Sequence, residues 1–391
     1  RDFERATALR EAPIEAFNNL GNALRVQGRH ESALVAIDRA IELNPSQGEA
    51  WNSRGMVCLD IGDINEADQC FERATQLAPL HEPAHLNYAQ VPWMLGKLNE
   101  AIQRLEAAIA TLPDSLQLQS RLLMAMHYSP RFAPRRIEAV ARAYGERVGR
   151  APGTDLGRVL PSERPPSKTR AVRIGVVSAD IRAHPVGWAL RRLIPAWRRQ
   201  GVDVFGYSNH PDSDALTETV EAHCTGFRSI VGRSDAEMEA VIAGDRIDAL
   251  FDLSGHTSGH RLGLFGRRVA SRQYTWMGFF GTTGLSTFDG IISDGIVMPS
   301  PQSEVHTEPI IRLDRCFFAV DPRDLPAIPT TPPPSIMSGR LTLGSFNNPL
   351  KYSEDVVRIW AQVLAAIPNS DLLLCYPSMD PESTAKHVRK L

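Results

Sequence analysis

Apolar, small and turn-forming residues recur every 34 residues through the first third of the chain. Each copy holds small residues on two helical patterns, with a glycine between them and a proline at the end. Small side chains let two helices approach closely, a glycine suits the turn, and a proline ends the second helix. The pattern therefore predicts a row of stacked helical hairpins. The three copies are Phe17, Gly21, Gly28, Ala33, Ile37, Ala40, Pro45; Trp51, Gly55, Gly62, Ala67, Phe71, Ala74, Pro79; and His85, Ala89, Gly96, Ala101, Leu105, Ala108, Pro113.

The period of 34 residues is that of the tetratricopeptide repeat, a helix–turn–helix unit. We therefore expect residues 1–113 to form tetratricopeptide repeats, with residues 1–12 as the remnant of an earlier copy. Stacked repeats form a superhelix with a concave binding face. The repeats alone do not identify the partner of that face, which is equally compatible with a homodimer through the repeats. A protein or peptide acceptor on this face is what the resemblance given below implies.

Residues 114–150 keep a helical pattern but lose the period. Leucines and methionines over 116–128 predict a helix that caps the last repeat, and a second helix is expected over 135–149. Residues 151–169 are rich in proline, glycine and polar side chains, which marks a linker between domains.

From residue 170 onward, short apolar runs alternate with amphipathic helices. This alternation predicts a doubly wound, mostly parallel sheet over 170–330. After a proline-rich segment, residues 331–391 read as the start of a second lobe of the same kind. The fold class is thus an α-solenoid followed by α/β lobes. The predicted strands are 172–177, 203–207, 227–230, 248–252, 272–276, 290–293, 309–312, 341–346 and 371–375, and the predicted helices are 186–199, 213–222, 235–244, 260–268 and 353–367.

Composition narrows the class of protein further. Lysine plus arginine number 43 against 45 aspartate plus glutamate, so the net charge of −2 does not suggest a nucleic-acid partner. No run of about 18 apolar residues is present, so no membrane span is predicted. The five cysteines are scattered, which favours a reducing, cytoplasmic location without structural zinc. The chain begins at Arg1 within a helical pattern, and we expect that the native N-terminus lies further upstream.

Candidate chemistry lies in the loops that follow the predicted strands. In an open α/β sheet, ligands bind at the carboxyl ends of the strands. Asp180 and His184 follow the first strand, and a histidine there can act as a general base or a hydrogen-bond donor near neutral pH. The alternative is a loop histidine without a role.

His256 and Thr257 follow the strand at 248–252, in a loop of glycines and hydroxyl residues that suits a phosphate. His256 and His260 lie four residues apart, but no carboxylate completes a metal set, so no metal site is expected. The alternative for His256 is a hydrogen bond to a neighbouring backbone carbonyl.

Two further loops suit a ligand. The segment 278–284, with Gly278, Gly281, Thr282 and Thr283, predicts a close approach of backbone to a ligand, or simply a tight turn. Lys351 stands near the start of the helix at 353–367, where its ammonium and the helix N-terminus can both face an anion. An ordinary surface lysine is the alternative.

Taken in order, these segments resemble the protein O-GlcNAc transferase and SPINDLY family, in its bacterial form, over nearly the whole chain. The resemblance rests on the repeats, on Leu123-Met-Ala-Met-His127-Tyr128-Ser-Pro130 at the junction, and on Ser178-Ala-Asp180, His184-Pro185-Val-Gly187, Leu253-Ser-Gly-His256-Thr257, the 278–284 loop and Phe346-Asn-Asn348 with Lys351.

The resemblance implies a GT-B fold of two Rossmann-like lobes and an inverting, metal-independent glycosyltransferase that needs no cofactor. The implied reaction transfers N-acetylglucosamine from UDP-GlcNAc to serine or threonine of proteins. A SPINDLY-like transfer of fucose from GDP-fucose, transfer of another sugar, and a non-catalytic repeat scaffold are the alternatives.

The resemblance also assigns residues. His184 matches the active-site histidine, Lys351 the lysine that holds the donor diphosphate, and Asn348 a glutamine near the nucleotide. Gly278 and residues 281–284 match the donor-side loop, although the family's Gly-Tyr-Pro-Gly is Gly-Phe-Phe-Gly here. The family's other donor contacts lie beyond residue 391, so we expect no transfer by this fragment and exposed apolar surface at Ile359, Trp360, Val363 and Leu364.

Overall fold

The computed structural model describes residues 13–150, 170–299, 305–319, 321, 331–348 and 351–376. The predicted repeat remnant at 1–12 and the predicted linker at 151–169 lie outside the described residues. The chain divides into two compact units, one made of residues 1–129 and 329–391 and the other of residues 130–328.

Within residues 13–129, seven helices of 13 or 14 residues follow one another. The first helices of successive hairpins begin at residues 14, 48, 82 and 116, a constant spacing of 34. Gly28, Gly62 and Gly96 close the turns with φ of 73°, 87° and 72°, as the pattern predicts. The helices are α1 (Ile14–Val26), α2 (His30–Leu43), α3 (Gly48–Asp60), α4 (Ile64–Leu77), α5 (Glu82–Met94), α6 (Leu98–Thr111) and α7 (Leu116–Tyr128).

A small residue on the first helix of each hairpin makes room for a bulky residue on the second. A Cβ atom added to Gly21 would lie 2.3 Å from Ile37, and one added to Gly55 would lie 2.6 Å from Phe71. Because Ile37 and Phe71 are fully buried, these close approaches form the core of the hairpins.

Helix α7 keeps the geometry of the repeats even though the sequence loses the period there. The fourth residue of α3, α5 and α7 makes the same contact, from a side-chain nitrogen to the carbonyl oxygen of the proline six residues earlier. The three contacts are Trp51 Nε1 to Pro45 (3.0 Å), His85 Nε2 to Pro79 (2.8 Å) and Gln119 Nε2 to Pro113 (2.6 Å). Helix α7 therefore stands in register with the first helices before it.

The second unit is built on a parallel sheet of seven strands in the order β3-β2-β1-β4-β5-β6-β7. The strand order reverses between β1 and β4, and such a switch point is where ligands bind in doubly wound sheets. The strands are β1 (Arg173–Ser178), β2 (Asp203–Ser208), β3 (Gly226–Ser229), β4 (Ala249–Asp252), β5 (Arg272–Trp276), β6 (Gly290–Asp294) and β7 (Ile310–Leu313).

Helices connect these strands, and one more helix precedes them. Its buried residues are Ala141, Tyr144 and Val148, and it belongs to the sheet unit, although the sequence grouped it with the cap of the repeats. The helices are α8 (Pro134–Arg150), α9 (Pro185–Arg199), α10 (Ala215–His223), α11 (Asp235–Asp245) and α12 (Leu262–Gly266).

Residues 331–376 form a small strand–helix–strand element, with α13 (Pro334–Ser338), β8 (Leu341–Ser345), α14 (Glu354–Ala366) and β9 (Ser370–Leu374). Strands β8 and β9 pair in parallel. Ile359 and Val363 are 56% and 37% exposed, as expected, whereas Trp360 and Leu364 are half-buried. The predicted fold class, repeats followed by a Rossmann-like lobe and the start of a second lobe, is thus confirmed.

Candidate functional site

The loops that follow β1, β4 and β5 meet at the carboxyl edge of the sheet, around the switch point. Ser178 Oγ at the end of β1 lies 3.3 Å from Ser254 Oγ after β4. A Cβ atom added to Gly278 after β5 would lie 2.0 Å from the carbonyl oxygen of Leu253. Glycine at 278 therefore permits two backbones of the protein to touch, whereas the predicted approach of this loop to a ligand stays a prediction.

His184 is the N-cap residue of α9. Its backbone is extended, with φ −146° and ψ 154°, and its Nδ1 accepts a hydrogen bond of 3.3 Å from the Val186 N–H. Because Nδ1 is the acceptor, the neutral ring carries its proton on Nε2. His184 thus presents an N–H donor, and its side chain is 38% exposed.

The charges around His184 come from its own loop. Nδ1 lies 3.9 Å from Asp180 Oδ2, and Arg182 lies 3.7 Å from the other oxygen of the same carboxylate. Burial lowers the pKa of His184 from its usual value; Asp180 opposes the shift and Arg182 adds to it. The ring is therefore neutral at pH 7.

The loop that carries His184 is fastened to α10. Asp214, the N-cap of α10, accepts a 2.6 Å hydrogen bond from the Ala183 N–H, and this bond lowers the pKa of Asp214. Thr217 Oγ1 donates to the Ile181 carbonyl at 2.8 Å. The sequence did not predict the role of Asp214, because an N-cap residue cannot be recognised from sequence as the acceptor for a backbone N–H in a distant loop.

Asp252 ends β4 and organises the loop behind it. Its fully buried carboxylate accepts hydrogen bonds from the Ser254 N–H (3.2 Å), the Gly255 N–H (2.8 Å) and Thr275 Oγ1 (2.9 Å). Burial raises the pKa of Asp252 to about 6, although these hydrogen bonds oppose the shift. The sequence did not point to Asp252 as a site residue. The available signal was a carboxylate at the end of a strand, but the prediction for this region rested on the loop motif that follows it.

His256 and Thr257 hold loops together. His256 is buried, and its Nε2 donates to the Thr283 carbonyl at 3.1 Å, while its ring meets the edge of Tyr144 at 4.9 Å. Thr257 Oγ1 donates to the Ser254 carbonyl at 2.8 Å. The structure thus matches the alternative for His256, a bond to a backbone carbonyl, and gives both residues a positioning role.

Thr282 and Thr283 turn inward rather than toward a ligand. Glu308, itself 3% exposed, accepts hydrogen bonds from Thr282 Oγ1 and from the Thr283 N–H, both at 2.7 Å, and from Thr283 Oγ1. Thr307 Oγ1 lies 2.7 Å from Thr282 Oγ1. These hydroxyls are therefore engaged in fixing the loop, and Glu308 is a site residue that the sequence did not reveal, because it lies far from the loop along the chain.

The start of the 278–284 loop is strained. Met277 has φ 62°, and the N–H of Gly278 donates to the Trp276 carbonyl at 2.8 Å, which makes Met277 the centre of a γ-turn. A non-glycine residue in this conformation costs about 1–3 kcal/mol and tends to mark functional sites. Gly281, further along the loop, is buried.

The two phenylalanines of this loop point in different directions. Phe279 is buried beneath Gly255, where an added Cβ would lie 2.3 Å from Phe279 Cβ. Phe280 is 50% exposed, with its ring edge-on to Phe317 at 5.1 Å. The change from the family's loop sequence therefore places one aromatic ring in the core and one at the surface.

Lys351 and Asn348 lie ahead of α14. Lys351 is exposed, and within the described part of the chain it forms no ion pair. Its N–H donates to the Asn348 carbonyl at 2.9 Å, and α14 begins just after the N-cap Ser353. The side chain of Asn348 lies 3.5 Å from the hydroxyl of Tyr376. An unpaired ammonium beside a helix N-terminus is suited to an anion.

The repeats hold a pocket of about 500 Å³ between their first helices. Amide side chains dominate its wall, and two of them are linked by a 2.9 Å hydrogen bond from Asn87 Nδ2 to Asn52 Oδ1. The pocket is lined by Asn18, Asn22, Arg25, Glu49, Asn52, Ser53, Met56, His81 and Asn87. Such a surface offers donors and acceptors to an extended peptide.

The described residues hold neither a metal-binding cluster nor a membrane-spanning helix. No group of three or more His, Cys, Asp or Glu side chains there is arranged to hold a metal ion. Nor does any of the helices combine the length and the apolar character that crossing a bilayer requires.

Helical repeats and a doubly wound sheet with loops at its switch point are the parts of a repeat-containing glycosyltransferase, and comparison with known proteins assigns the chain to that class. Residues 160–327 match the family described as Glycosyl transferase family 41, and residues 14–47 and 48–81 each match a tetratricopeptide repeat. A mutant of the Thermobaculum terrenum O-GlcNAc transferase is 31% identical, with a TM-score of 0.82, over 96% of this chain and 72% of that chain. The chain therefore belongs to the O-GlcNAc transferase and SPINDLY family.

Curated relatives agree with this assignment. The probable UDP-N-acetylglucosamine–peptide N-acetylglucosaminyltransferase SPINDLY of Oryza sativa subsp. japonica is 30% identical over 68% of this chain and 29% of its own length. The UDP-N-acetylglucosamine–peptide N-acetylglucosaminyltransferase of Caenorhabditis elegans is 29% identical over 38% of this chain and 13% of its own length. The chain spans less than a third of the length of these relatives.

Proposed function

We propose that the protein transfers a sugar from a nucleotide-sugar donor to serine or threonine hydroxyls of proteins, with N-acetylglucosamine from UDP-GlcNAc as the transferred group. The observation that carries this proposal is the similarity of 96% of the chain to an O-GlcNAc transferase. The names of the curated relatives, which are peptide N-acetylglucosaminyltransferases, support the same donor and acceptor.

In this proposal His184 acts as a hydrogen-bond donor. The Val186 N–H occupies Nδ1, so the neutral ring offers Nε2–H to an oxygen of the sugar or the acceptor. Its lowered pKa keeps the ring neutral at physiological pH, so that it does not repel the positive charge that develops on the sugar during transfer. Asp180, with Oδ2 3.9 Å from Nδ1, makes no hydrogen bond to the ring and acts on it through its negative charge.

In this proposal Lys351 stabilises the negative charge of the leaving group. Departure of a nucleoside diphosphate places negative charge on its phosphate oxygens, and a positioned ammonium stabilises that charge in the transition state. Lys351 is exposed near the N-terminus of α14, whose backbone N–H groups add to the positive potential. In this proposal these groups fill the role that a metal ion has in other transferases, and Asn348 contacts the nucleotide.

The 278–284 loop meets the donor with its backbone. Gly278 seats the loop against the Leu253 carbonyl, while Thr282 and Thr283 fix it through Glu308. The acceptor polypeptide runs along the pocket of the repeats, where Asn18 Oδ1 is buried without a hydrogen-bond partner within the described structure. All five cysteines are free, which favours a reducing, cytoplasmic setting.

Calorimetry with UDP tests the donor site. Replacement of Lys351 by alanine removes the proposed phosphate contact, and we expect UDP affinity to fall by about tenfold or more, because a charge-assisted bond is lost. Lys97→Ala is the matched control, since that lysine lies in the repeats and pairs with Glu100 at 3.5 Å. Equal UDP affinity of the Lys351→Ala and Lys97→Ala proteins would remove Lys351 from the donor site.

A donor panel tests the sugar. The full-length protein is used, because no transfer is expected from residues 1–391 alone. It is incubated with a serine- and threonine-containing peptide and with UDP-GlcNAc, UDP-glucose or GDP-fucose, and modified peptide is measured by mass spectrometry. Transfer from UDP-GlcNAc is the expected result. Transfer from GDP-fucose instead would keep the reaction class and replace the proposed sugar.

A further inference from the structure

Arg121 occupies the place in α7 that pocket-lining residues hold in earlier helices. It is the sixth residue of α7, as Asn87 is of α5 and Ser53 is of α3. Asn87 and Ser53 both line the pocket of the repeats. Since Gln119, two residues before Arg121, makes the same contact to a proline carbonyl as its counterparts in α3 and α5, the register holds at this point. Arg121 therefore extends the row of pocket-lining side chains by one helix.

The charge of Arg121 has no counterion within the residues that the structure describes. Arg104 of α6 differs in this respect, because it pairs with Asp68 and with Glu100 (2.6 Å). Arg121 is half-buried, and burial lowers its pKa with no acid to oppose the shift. A buried, uncompensated charge destabilises a protein, so a cation kept in this state is suited to a ligand that brings the opposite charge.

Apart from the exposed carboxylate of Glu49, the charged and amide side chains that line the pocket are neutral or already paired. Asn22 Nδ2 donates to Ser53 Oγ at 2.9 Å, and Asn87 donates to Asn52 in the same way. The arginine that lines the pocket, Arg25, is bound to Asp60 at 2.9 Å. A ligand lying along the row would therefore meet amides first and a single unpaired guanidinium at the α7 end.

We propose that Arg121 binds a carboxylate of the polypeptide that lies along this row, so that the protein selects acceptors with an acidic group at that point. The guanidinium binds a carboxylate through two parallel hydrogen bonds, and the amides bind peptide backbone. The carboxylate belongs to an aspartate or glutamate side chain or to a chain terminus. The identity of this ligand as the acceptor rests on the proposed function.

A peptide array tests the proposal on the full chain. The probes are serine- and threonine-containing peptides in which each position in turn is Glu or Gln, made with free and with amidated C-termini. We expect the wild-type protein to retain Glu peptides about tenfold better than their Gln twins. Arg121→Gln should lose this preference. The matched control is Arg39→Gln, an exposed arginine whose partner, Glu42, lies on its own helix.

The array distinguishes the source of the carboxylate, and it distinguishes failure of this proposal from failure of the proposed acceptor site. A preference that follows the free C-terminus assigns the carboxylate to a chain end, and one that follows an internal Glu assigns it to a side chain. Equal retention of Glu and Gln twins by the wild-type protein, or an unchanged preference in Arg121→Gln, would overturn the proposal alone. Absence of binding to every peptide would overturn it together with the acceptor site of the proposed function.

Thermal unfolding without peptide gives a second readout. Replacement of Arg121 by methionine removes the uncompensated charge and keeps an unbranched side chain, so the melting temperature should rise. An arginine retained for stability behaves in the opposite way. A lower melting temperature for Arg121→Met would therefore contradict a role in binding.

Discussion

A Cβ atom on Gly145 would lie 1.8 Å from the carbonyl oxygen of Gly284, so α8 and the donor-side loop touch backbone to backbone. The contact is reciprocal, since a Cβ on Gly284 would lie 1.9 Å from the carbonyl oxygen of Ala141. Gly284 also has φ 82°, which favours glycine. Helix α8 therefore forms one wall of the candidate site, although it precedes the sheet along the chain.

Replacement of Gly145 by alanine should push this wall away from the loop. No flexible side-chain tip lies in the way, only backbone, so we expect a loss of about 1–3 kcal/mol in the free energy of unfolding. Gly244→Ala is the control, because nothing lies within 4 Å of the added atom on α11, and it should be neutral or stabilising. Urea unfolding of both variants checks the prediction, and equal stability of the two would contradict the close contact.

His184 combines capping with proposed chemistry, and two substitutions separate these roles. Asparagine is a good N-cap residue, so His184→Asn should keep the bond to the Val186 N–H and the stability of α9. Transfer by the full-length protein should nevertheless fall by roughly 10²-fold, because the Nε2–H donor is lost. His184→Ala should lose the cap as well. Turnover by His184→Asn within twofold of the wild type would remove His184 from the mechanism.

Titration checks the state of the same ring. Burial places the pKa of His184 below its usual value of 6.5, so its imidazole signals should shift, in a pH series of NMR spectra, at lower pH than those of an exposed histidine. The imidazole signals that are present in the wild-type spectrum and absent from the His184→Asn spectrum belong to His184. A midpoint above 6.5 would mean that Asp180 outweighs burial.

Glu308 should act on donor binding through the loop. Glu308→Ala frees Thr282 and Thr283, so the KM for the donor should rise with little change in the KM for the acceptor peptide. Unfolding should cost about 1–3 kcal/mol less, and Glu308→Gln should restore part of both effects. Glu239→Ala, on α11, is the control. It breaks an ion pair with Arg267 (2.9 Å) and should leave the KM for the donor unchanged.

The fold was open to prediction because its signals are local and repeated. The 34-residue spacing fixes where Gly21 meets Ile37 and where Gly55 meets Phe71, and three copies of it are hard to misread. Alternation of apolar strands and helices likewise predicts a parallel sheet. The assignment of His184 to a loop at the sheet edge follows from the same reasoning, while its contact with a substrate stays a prediction.

The parts that escaped prediction depend on contacts between distant segments. Glu308 reaches Thr283 across 25 residues and belongs to no motif. Thr282 and Thr283 looked like ligand-facing hydroxyls, because a glycine-rich loop does not show which way its side chains point. Helix α8 is separated from the sheet by residues 151–169, and its sequence does not indicate which backbone segment Gly145 contacts.

Asp252 should leave a signature in the dependence of stability on pH. Its folded pKa of about 6 lies above the value of 3.8 for an unperturbed aspartate. Between these two values the folded state holds a proton that the unfolded state has released, so the free energy of unfolding falls as pH rises from about 4 to about 6. The change amounts to about 3 kcal/mol, and above pH 6 this contribution is constant.

Comparison with Asp252→Asn isolates this term, because the amide does not titrate while the other groups do. Carboxylates with lowered pKa values, such as Asp289, change the free energy of unfolding below pH 4. The lowered pKa of His184 makes the free energy of unfolding rise, not fall, as pH increases toward 6.5. The difference between wild type and Asp252→Asn, measured by urea unfolding, should therefore shrink steadily from pH 4 to pH 6 and then level off. A difference that grows over this range would mean that the three hydrogen bonds to the carboxylate outweigh its burial, and that Asp252 is ionised throughout.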